Sequence, residues 1–424
     1  AGLPACLAIY YGVAALIAYR WGLHRPHGVF FFALAWFGAE LARAHLFTGF
    51  PWDMMGYVWA DCLPVLQSVH VWGIEGLTLA TLLAVVTPVF YFMPTRRCGS
   101  HAAFMFSLLF FVAMAAAGWV RLSHGPLSMV PDVRLRLVQP DIDQSLKWKA
   151  DQRYATFTRL MDLTFSQAGD KPVTHYIWPE TATAYYLTEE PTLRSHIAGA
   201  MPKGTFLLTG VVRRQFSNGD TPLRYFNSMI AMDSKGTVIA GYDKFHLVPF
   251  GEYMPGRNLL HLPVISTMGQ DFSAGEGPRS LRVPGLPIFS PLICYEAIFS
   301  ANVADPEDPP RFLLNLTNDA WYKGTIGPVQ HFAIAKVRAV EEGLPLVRVS
   351  NAGITGVVDP YGRLTASTHT MKFSYIDADL PEPLPEKNGI FRYRHEIPYL
   401  VTILLLVALF VMKLKTVSEP SRFC

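Results

Sequence analysis

The sequence predicts a layered α/β sandwich set between membrane-spanning helices, and three observations predict it. The 424-residue chain is 51% hydrophobic and only 16% charged, with a mean hydropathy of +0.23, too apolar for an ordinary water-soluble enzyme. Its apolar residues crowd into the first 130 positions and a short segment near the C-terminus, while the middle has the charge content of a globular protein. That middle alternates strand-like and helix-like patterns with hairpins among them, which suits stacked α/β layers better than a plain doubly wound sheet. The expected divisions are N-terminal transmembrane helices over 1–130, a soluble domain over 131–385, and a C-terminal helix with its tail over 386–424.

Apolar stretches at 3–19, 29–47, 64–93, 102–122 and 398–412 are each close to the roughly 20 residues needed to cross a hydrocarbon core. The first is not a signal peptide, because no basic region precedes it and no small-residue cleavage site follows. The chain opens on Ala1 rather than Met, and the expectation is that an N-terminal portion precedes it. Lys and Arg accumulate on the cytoplasmic side of membrane proteins. Arg20 and Arg25, Arg96 and Arg97, and Lys413 and Lys415 place the first connection, the third connection and the tail inside, whereas 48–63 carries no Lys or Arg. The soluble domain is then expected outside the cytoplasm, on the periplasmic face of a bacterial inner membrane. Phe50, Trp52, Met54, Met55, Tyr57 and Trp59 make the 48–63 loop either an aromatic belt or a wall for a lipid chain. Glu40, Arg43 and Glu75 are costly in lipid and should face a partner or a cavity.

In the soluble part, strands are expected at 133–139, 173–178, 205–212, 227–232, 236–241, 288–293, 312–316, 345–350 and 355–359. Helices are expected at 151–167, from about 296, and at 328–343, with a hairpin turn at Asp233–Gly236. The net charge of +3 is not gathered into a basic stripe, which gives no support to nucleic-acid binding. The thirteen histidines and five cysteines show no zinc-like spacing, and no P-loop or dinucleotide fingerprint is present, so no metal or cofactor is indicated.

Cys294 is the single cysteine between Asp132 and Asp379, and it follows a buried-strand pattern, Ile288–Ile293. A thiol at a strand-to-helix turn lies near backbone N–H groups and a helix N-terminus, which would lower its pKa from about 8.5 and help hold an oxyanion. The plain alternative is an inert core thiol, since free cysteine is among the most buried residues. Glu296, two positions on, is an odd neighbour for such a thiol. Glu180, in Trp178-Pro179-Glu180, follows a strand and should stand at its C-terminal edge, where α/β sites are built. Lys244 opens a run that is otherwise apolar, aromatic, Gly or Pro apart from His246 and Glu252, poor company for a solvated lysine. A carboxylate can move the thiol proton, an ammonium can stabilise thiolate and oxyanion, and the thiolate can form a thioester.

Trp178-Pro179-Glu180, the run Lys244–Glu252 and Ile293–Glu296, in that order, resemble the nitrilase or carbon–nitrogen hydrolase superfamily and, more closely, the bacterial apolipoprotein N-acyltransferases. Thr317–Trp321, Gly327–His331, Arg338–Glu341, Gln139–Trp148 and Phe47–Trp52 fit the same resemblance. It implies a nitrilase-like αββα sandwich inserted between transmembrane helices, with Glu180 as base, Lys244 as oxyanion and thiolate stabiliser and Cys294 as nucleophile. It also implies that Glu252, Glu296 and Tyr295 support the site, and that Trp148 and Trp321 line the passage for acyl chain and lipoprotein. The implied partners are a phospholipid acyl donor, phosphatidylethanolamine foremost, and a diacylated apolipoprotein acceptor; a monomer is the default. The family carries more spans ahead of the first one here, and Tyr322 stands where an apolar aromatic is usual. The residues alone leave open a membrane-tethered amidase with the same site, or a non-catalytic scaffold for lipidated proteins. The Gly- and Pro-rich segment 249–280 is the candidate mobile lid.

Overall fold

The computed structural model of the chain describes residues 2–21, 28–92, 100–125, 127–165, 171–216, 222–256, 270–368, 373–385 and 392–418. The chain divides into two units, Ala1–Gly125 with Pro385–Cys424, and Pro126–Leu384.

The first unit is helical. Helices α1 (Gly2–Trp21), α2 (Gly28–His45), α4 (Val69–Phe92) and α5 (Ser100–Leu122) provide four segments long and apolar enough to cross a membrane. The expected single span over 64–93 is broken into a short α3 (Leu63–Leu66) and α4, and Trp72 and Gly73 leave helical geometry, Gly73 at φ +67. The C-terminal helix, Ile397–Ser418, carries a shorter apolar stretch, Ile397–Val411. Its Leu405 and Leu409 pack on the Phe37 and Leu79 cluster that joins α2 to α4. Gly118 lets α5 lie against α3, since a Cβ there would fall 1.7 Å from the Pro64 carbonyl oxygen.

The charged residues of this unit have definite tasks. Arg43 Nη1 donates to the backbone oxygens of Phe50, at 2.9 Å, and Trp52, while Glu40 accepts from the Met55 N–H at 3.1 Å. Gly56 N–H donates to Thr78 Oγ1 and Trp59 Nε1 to Thr81 Oγ1, at 3.0 and 2.9 Å. The aromatic 48–63 segment is therefore tied to α2 and α4 through its own backbone and the Trp59 indole, which satisfies polar groups that could find no partner in lipid. Glu75 faces His395, 3.9 Å away.

The second unit is a four-layer sandwich. Its first sheet runs in the order β11-β1-β2-β3-β4-β5 (β1 Met129–Gln139, β2 His175–Ile177, β3 Phe206–Phe216, β4 Pro222–Asp233, β5 Val238–Asp243, β11 Ser374–Pro381). The second runs β10-β9-β8-β7-β6 (β6 Phe289–Ile293, β7 Phe312–Thr317, β8 Leu346–Ser350, β9 Gly356–Val358, β10 Leu364–Ser367). Strand periodicity assigns the layers. Leu135, Leu137, Met229 and Ala231 point inward against Phe289, Ile293, Leu314 and Val349 of the other sheet, forming the central core. Val138, Ile230 and Met232 point the other way, onto α6 (Ala150–Phe165) and α7 (Pro191–Ala200). Leu292, Leu313 and Leu346 meet Phe332, Ala335 and Ala339 of α8 (Gly327–Glu342). Both faces of both sheets are thus apolar, each fully buried Leu or Ile contributing about 1.5–3 kcal/mol.

Several elements differ from the sequence reading. The strand expected at 236–241 begins at Val238, because Gly236, at φ +81, closes the turn and Asp233 Oδ1 accepts from the Lys235 and Thr237 N–H groups. The helix expected from about 296 is only a five-residue 3-10 turn, Cys294–Ile298, ended by extended backbone at Phe299. Strands β10 and β11 extend the sandwich past the last expected strand. Of the candidate lid, residues 257–269 lie outside the described residues.

Candidate active site

Four strand ends supply the site: the loop after β2 carries Glu180, β5 leads directly to Lys244, β6 runs into Cys294, and β7 leads to Asp319. The Glu180 loop lies flat on β3. Trp178 N–H donates to Leu208 O, Gly210 N–H to Pro179 O and Ala182 N–H to Gly210 O, at 2.9, 3.2 and 3.0 Å. A Cβ on Gly210 would sit 2.6 Å from Glu180 Cα, so glycine is what allows the approach. Lys244 N–H donates to Asn227 O and Lys244 O accepts from Gly275 N–H, at 2.8 and 2.9 Å.

Glu180, Lys244 and Glu252 are buried together. Lys244 Nζ pairs with Glu252 Oε2 at 2.8 Å, and the Asn227 amide donates to Glu180 Oε1 at 2.7 Å and to Glu252 Oε1 at 2.8 Å. Among the described residues Glu180 Oε2 is buried without a hydrogen-bond partner, an acceptor left over for a proton. Burial pushes the Glu180 carboxyl above the ordinary range, with the Lys244 ammonium opposing. For Lys244, burial alone would lower the pKa, but the carboxylates of Glu252 and Glu180 outweigh it, and the ammonium stays charged. Cys294 retains partial exposure and sits at φ +52, in the left-handed region. Burial raises its thiol pKa, Glu180 adds to that, and Lys244 opposes. This corrects the expected lowering: with a 3-10 turn in place of a helix, the helix dipole invoked for it is missing, and the resting thiol is protonated.

Glu296 explains itself as a bridge. Its Oε1 accepts from Tyr242 Oη, Phe245 N–H and His246 N–H at 2.7, 2.9 and 3.3 Å, and its Oε2 from Ile293 N–H at 2.7 Å. It thereby locks the Lys244 loop to the Cys294 turn, and burial holds its carboxyl up at about 7. Tyr295 is buried in that turn, edge-on to the His246 and Phe299 rings. Trp148 is half-buried in the turn before α6, and Trp321 is exposed after β7. Beneath Cys294, His331 Nε2 donates to the Cys294 carbonyl at 3.2 Å while its Nδ1 lies 2.9 Å from Asp319 Oδ1. Arg348 Nη2 donates to Asp319 Oδ2 at 2.9 Å. Burial would raise the Asp319 pKa, but Arg348 and His331 outweigh it and keep the carboxylate ionised.

The carbon–nitrogen hydrolase family model matches residues 134–383 and that of the apolipoprotein N-acyltransferase N-terminal domain matches residues 1–87. A protein of Rhodopseudomonas palustris named apolipoprotein N-acyltransferase is 36% identical over 97% of this chain and 78% of its own length. One of the same name from Brucella melitensis is 39% identical over 90% of this chain and 73% of its own. The chain belongs to the apolipoprotein N-acyltransferase family. It is a membrane protein whose second unit has the nitrilase fold. An amidase of the nitrilase superfamily from Nesterenkonia AN1 aligns with 61% of this chain and 94% of its own at TM-score 0.43 and 19% identity.

In this family member, sequence reasoning reached the five acidic, basic and thiol groups that the structure clusters. It gave no role to Asn227, read only as a strand residue, to Arg348, or to Lys147, Asp319 and His331, which entered only within stretches that carry the family resemblance. Burial of a polar side chain is the signal they share, and only packing reveals it. Tyr322, flagged as a departure from an apolar aromatic, uses its hydroxyl to donate to Asp319 Oδ1 at 2.8 Å, and His331 Nδ1 lies equally close.

Proposed function

We propose that this chain transfers an acyl chain from a phospholipid, phosphatidylethanolamine foremost, through a Cys294 thioester to the N-terminal amine of a diacylglyceryl-cysteine lipoprotein, on the periplasmic face of a bacterial inner membrane. The observation that carries the reading is the buried cluster in which Glu180 keeps an unused oxygen beside a charged Lys244 and the thiol of Cys294. Glu180 Oε2 takes the thiol proton as sulfur attacks the ester carbonyl, and Lys244 stabilises the tetrahedral oxyanion. Collapse breaks the acyl C–O bond, and the proton returns from Glu180 to the departing lysophospholipid oxygen. The acceptor amine then attacks the thioester, Glu180 takes its proton, and the thiol is restored as the amide forms. Because the thiol is protonated at rest, base and nucleophile act in one step rather than through a standing thiolate. Trp148 and Trp321 serve as apolar contacts for the lipid chains.

The four apolar helices and the Lys- and Arg-free 48–63 loop support the membrane setting and its orientation. Intact mass spectrometry after incubation with phosphatidylethanolamine and no acceptor tests the reading. The expected result is a gain of one acyl chain, discharged by a diacylated lipopeptide and absent from Cys294→Ala. An unmodified wild-type protein that still releases free fatty acid would instead indicate a hydrolase.

A further inference from the structure

We propose that Lys147 is a positioning residue for the general base: its ammonium pins the turn that carries Glu180 and gives the buried carboxylate a second cation besides Lys244. The proposal rests on Glu180 acting as the base.

Lys147 is 2% exposed, in a turn closed by its own N–H to Asp143 O at 3.1 Å. A lysine buried this deeply needs partners. Its Nζ donates to Thr181 Oγ1 at 2.6 Å and lies 3.4 Å from the Glu180 carbonyl oxygen. Thr181 is at φ +41, a left-handed conformation that a β-branched residue resists, and it immediately follows Glu180. Gly210 clears the space on one side of this turn, and Lys147 holds its other edge. The charged group whose field acts on Lys147 is Glu180, and Lys147 in turn favours the ionised Glu180 carboxylate, after Lys244 and the Asn227 amide. Burial lowers the Lys147 pKa to about 8, with Glu180 opposing, so the ammonium is present at neutral pH. Asp143, on the same turn, is exposed.

The test compares pH profiles of kcat/KM for acyl transfer in the full chain. Lys147→Gln keeps a hydrogen-bond donor and removes the charge, so the acid limb, which reports Glu180, is expected to move to higher pH by about one unit. Lys147→Arg keeps the charge and leaves the limb where it is. A limb that stays at the wild-type pH in Lys147→Gln overturns the proposal, because a purely structural lysine would lower the rate at every pH alike. Should Lys147→Gln not fold, Thr181→Val decides: it frees the Lys147 ammonium from its anchor beside Glu180, so the acid limb is again expected to move to higher pH, and a limb that stays at the wild-type pH overturns the proposal. Glu180→Gln separates the two readings. If it turns over normally, the base assignment itself fails; if it is inactive while the limb is unmoved in Lys147→Gln, only the Lys147 role fails.

Discussion

Cys294 occupies a backbone conformation that costs about 1–3 kcal/mol for a residue with a Cβ. It persists because its neighbours over-determine it: Ile293 N–H is held by Glu296 and the Cys294 carbonyl by His331. Glu180 depends instead on an absence of side chain, at Gly210. Replacing Gly210 by Ala drives a Cβ to within 2.6 Å of Glu180 Cα and Pro179 O, so Glu180, the proposed base, must move. A displacement of about 1 Å predicts roughly a hundredfold loss of kcat/KM, checked by steady-state acyl transfer; activity within twofold of wild type would contradict the geometry. The sequence made Glu180, Lys244 and Cys294 legible because their types and company were unusual. Asn227 was not legible, since an asparagine on a strand reads the same whether it faces solvent or two carboxylates.

At the scale of elements, β7, β8 and α8 are joined through one carboxylate. Asp319 accepts from Arg348 and Ser350 of β8 and from Thr317 of β7, and meets His331 of α8. Asp319→Asn leaves Arg348 buried without its counter-charge, so a loss of about 3–5 kcal/mol is expected, read as a lower Tm in detergent together with slower thioester formation. An unchanged Tm would mean that Asn315, which also accepts from Arg348, suffices alone. The helical periodicity of α8 was readable from sequence. The five-residue turn that begins at Cys294 was not, because Glu296 spends its side chain on the Ile293 N–H just before it and on the Phe245 and His246 N–H groups of the Lys244 loop rather than continuing a helix.

At the scale of the molecule, His175 reports on the sandwich. It lies buried on β2, with Nε2 donating to Pro284 O at 3.0 Å and its ring stacked on Phe206. Burial lowers its pKa from 6.5 to about 4. The unfolded chain therefore gains a proton as pH falls through 6.5, while the folded chain refuses it until about 4, and stability is lost across that window. The loss amounts to about 3 kcal/mol, and His175→Gln is expected to flatten the corresponding fall in Tm between pH 6.5 and 4. An undiminished fall in the variant would assign it to other groups.

By itself, the sequence determined the apolar segments, the layered α/β class, and the three residue types of the candidate site in their order along the chain. Those are local matters: hydropathy, period and composition act over a few residues. Only the tertiary structure decided which charges are buried together, that the thiol is protonated at rest, and that Lys147 stands behind Glu180. Each of these depends on desolvation and on fields between residues far apart in sequence, and neither exists until the two sheets close on each other.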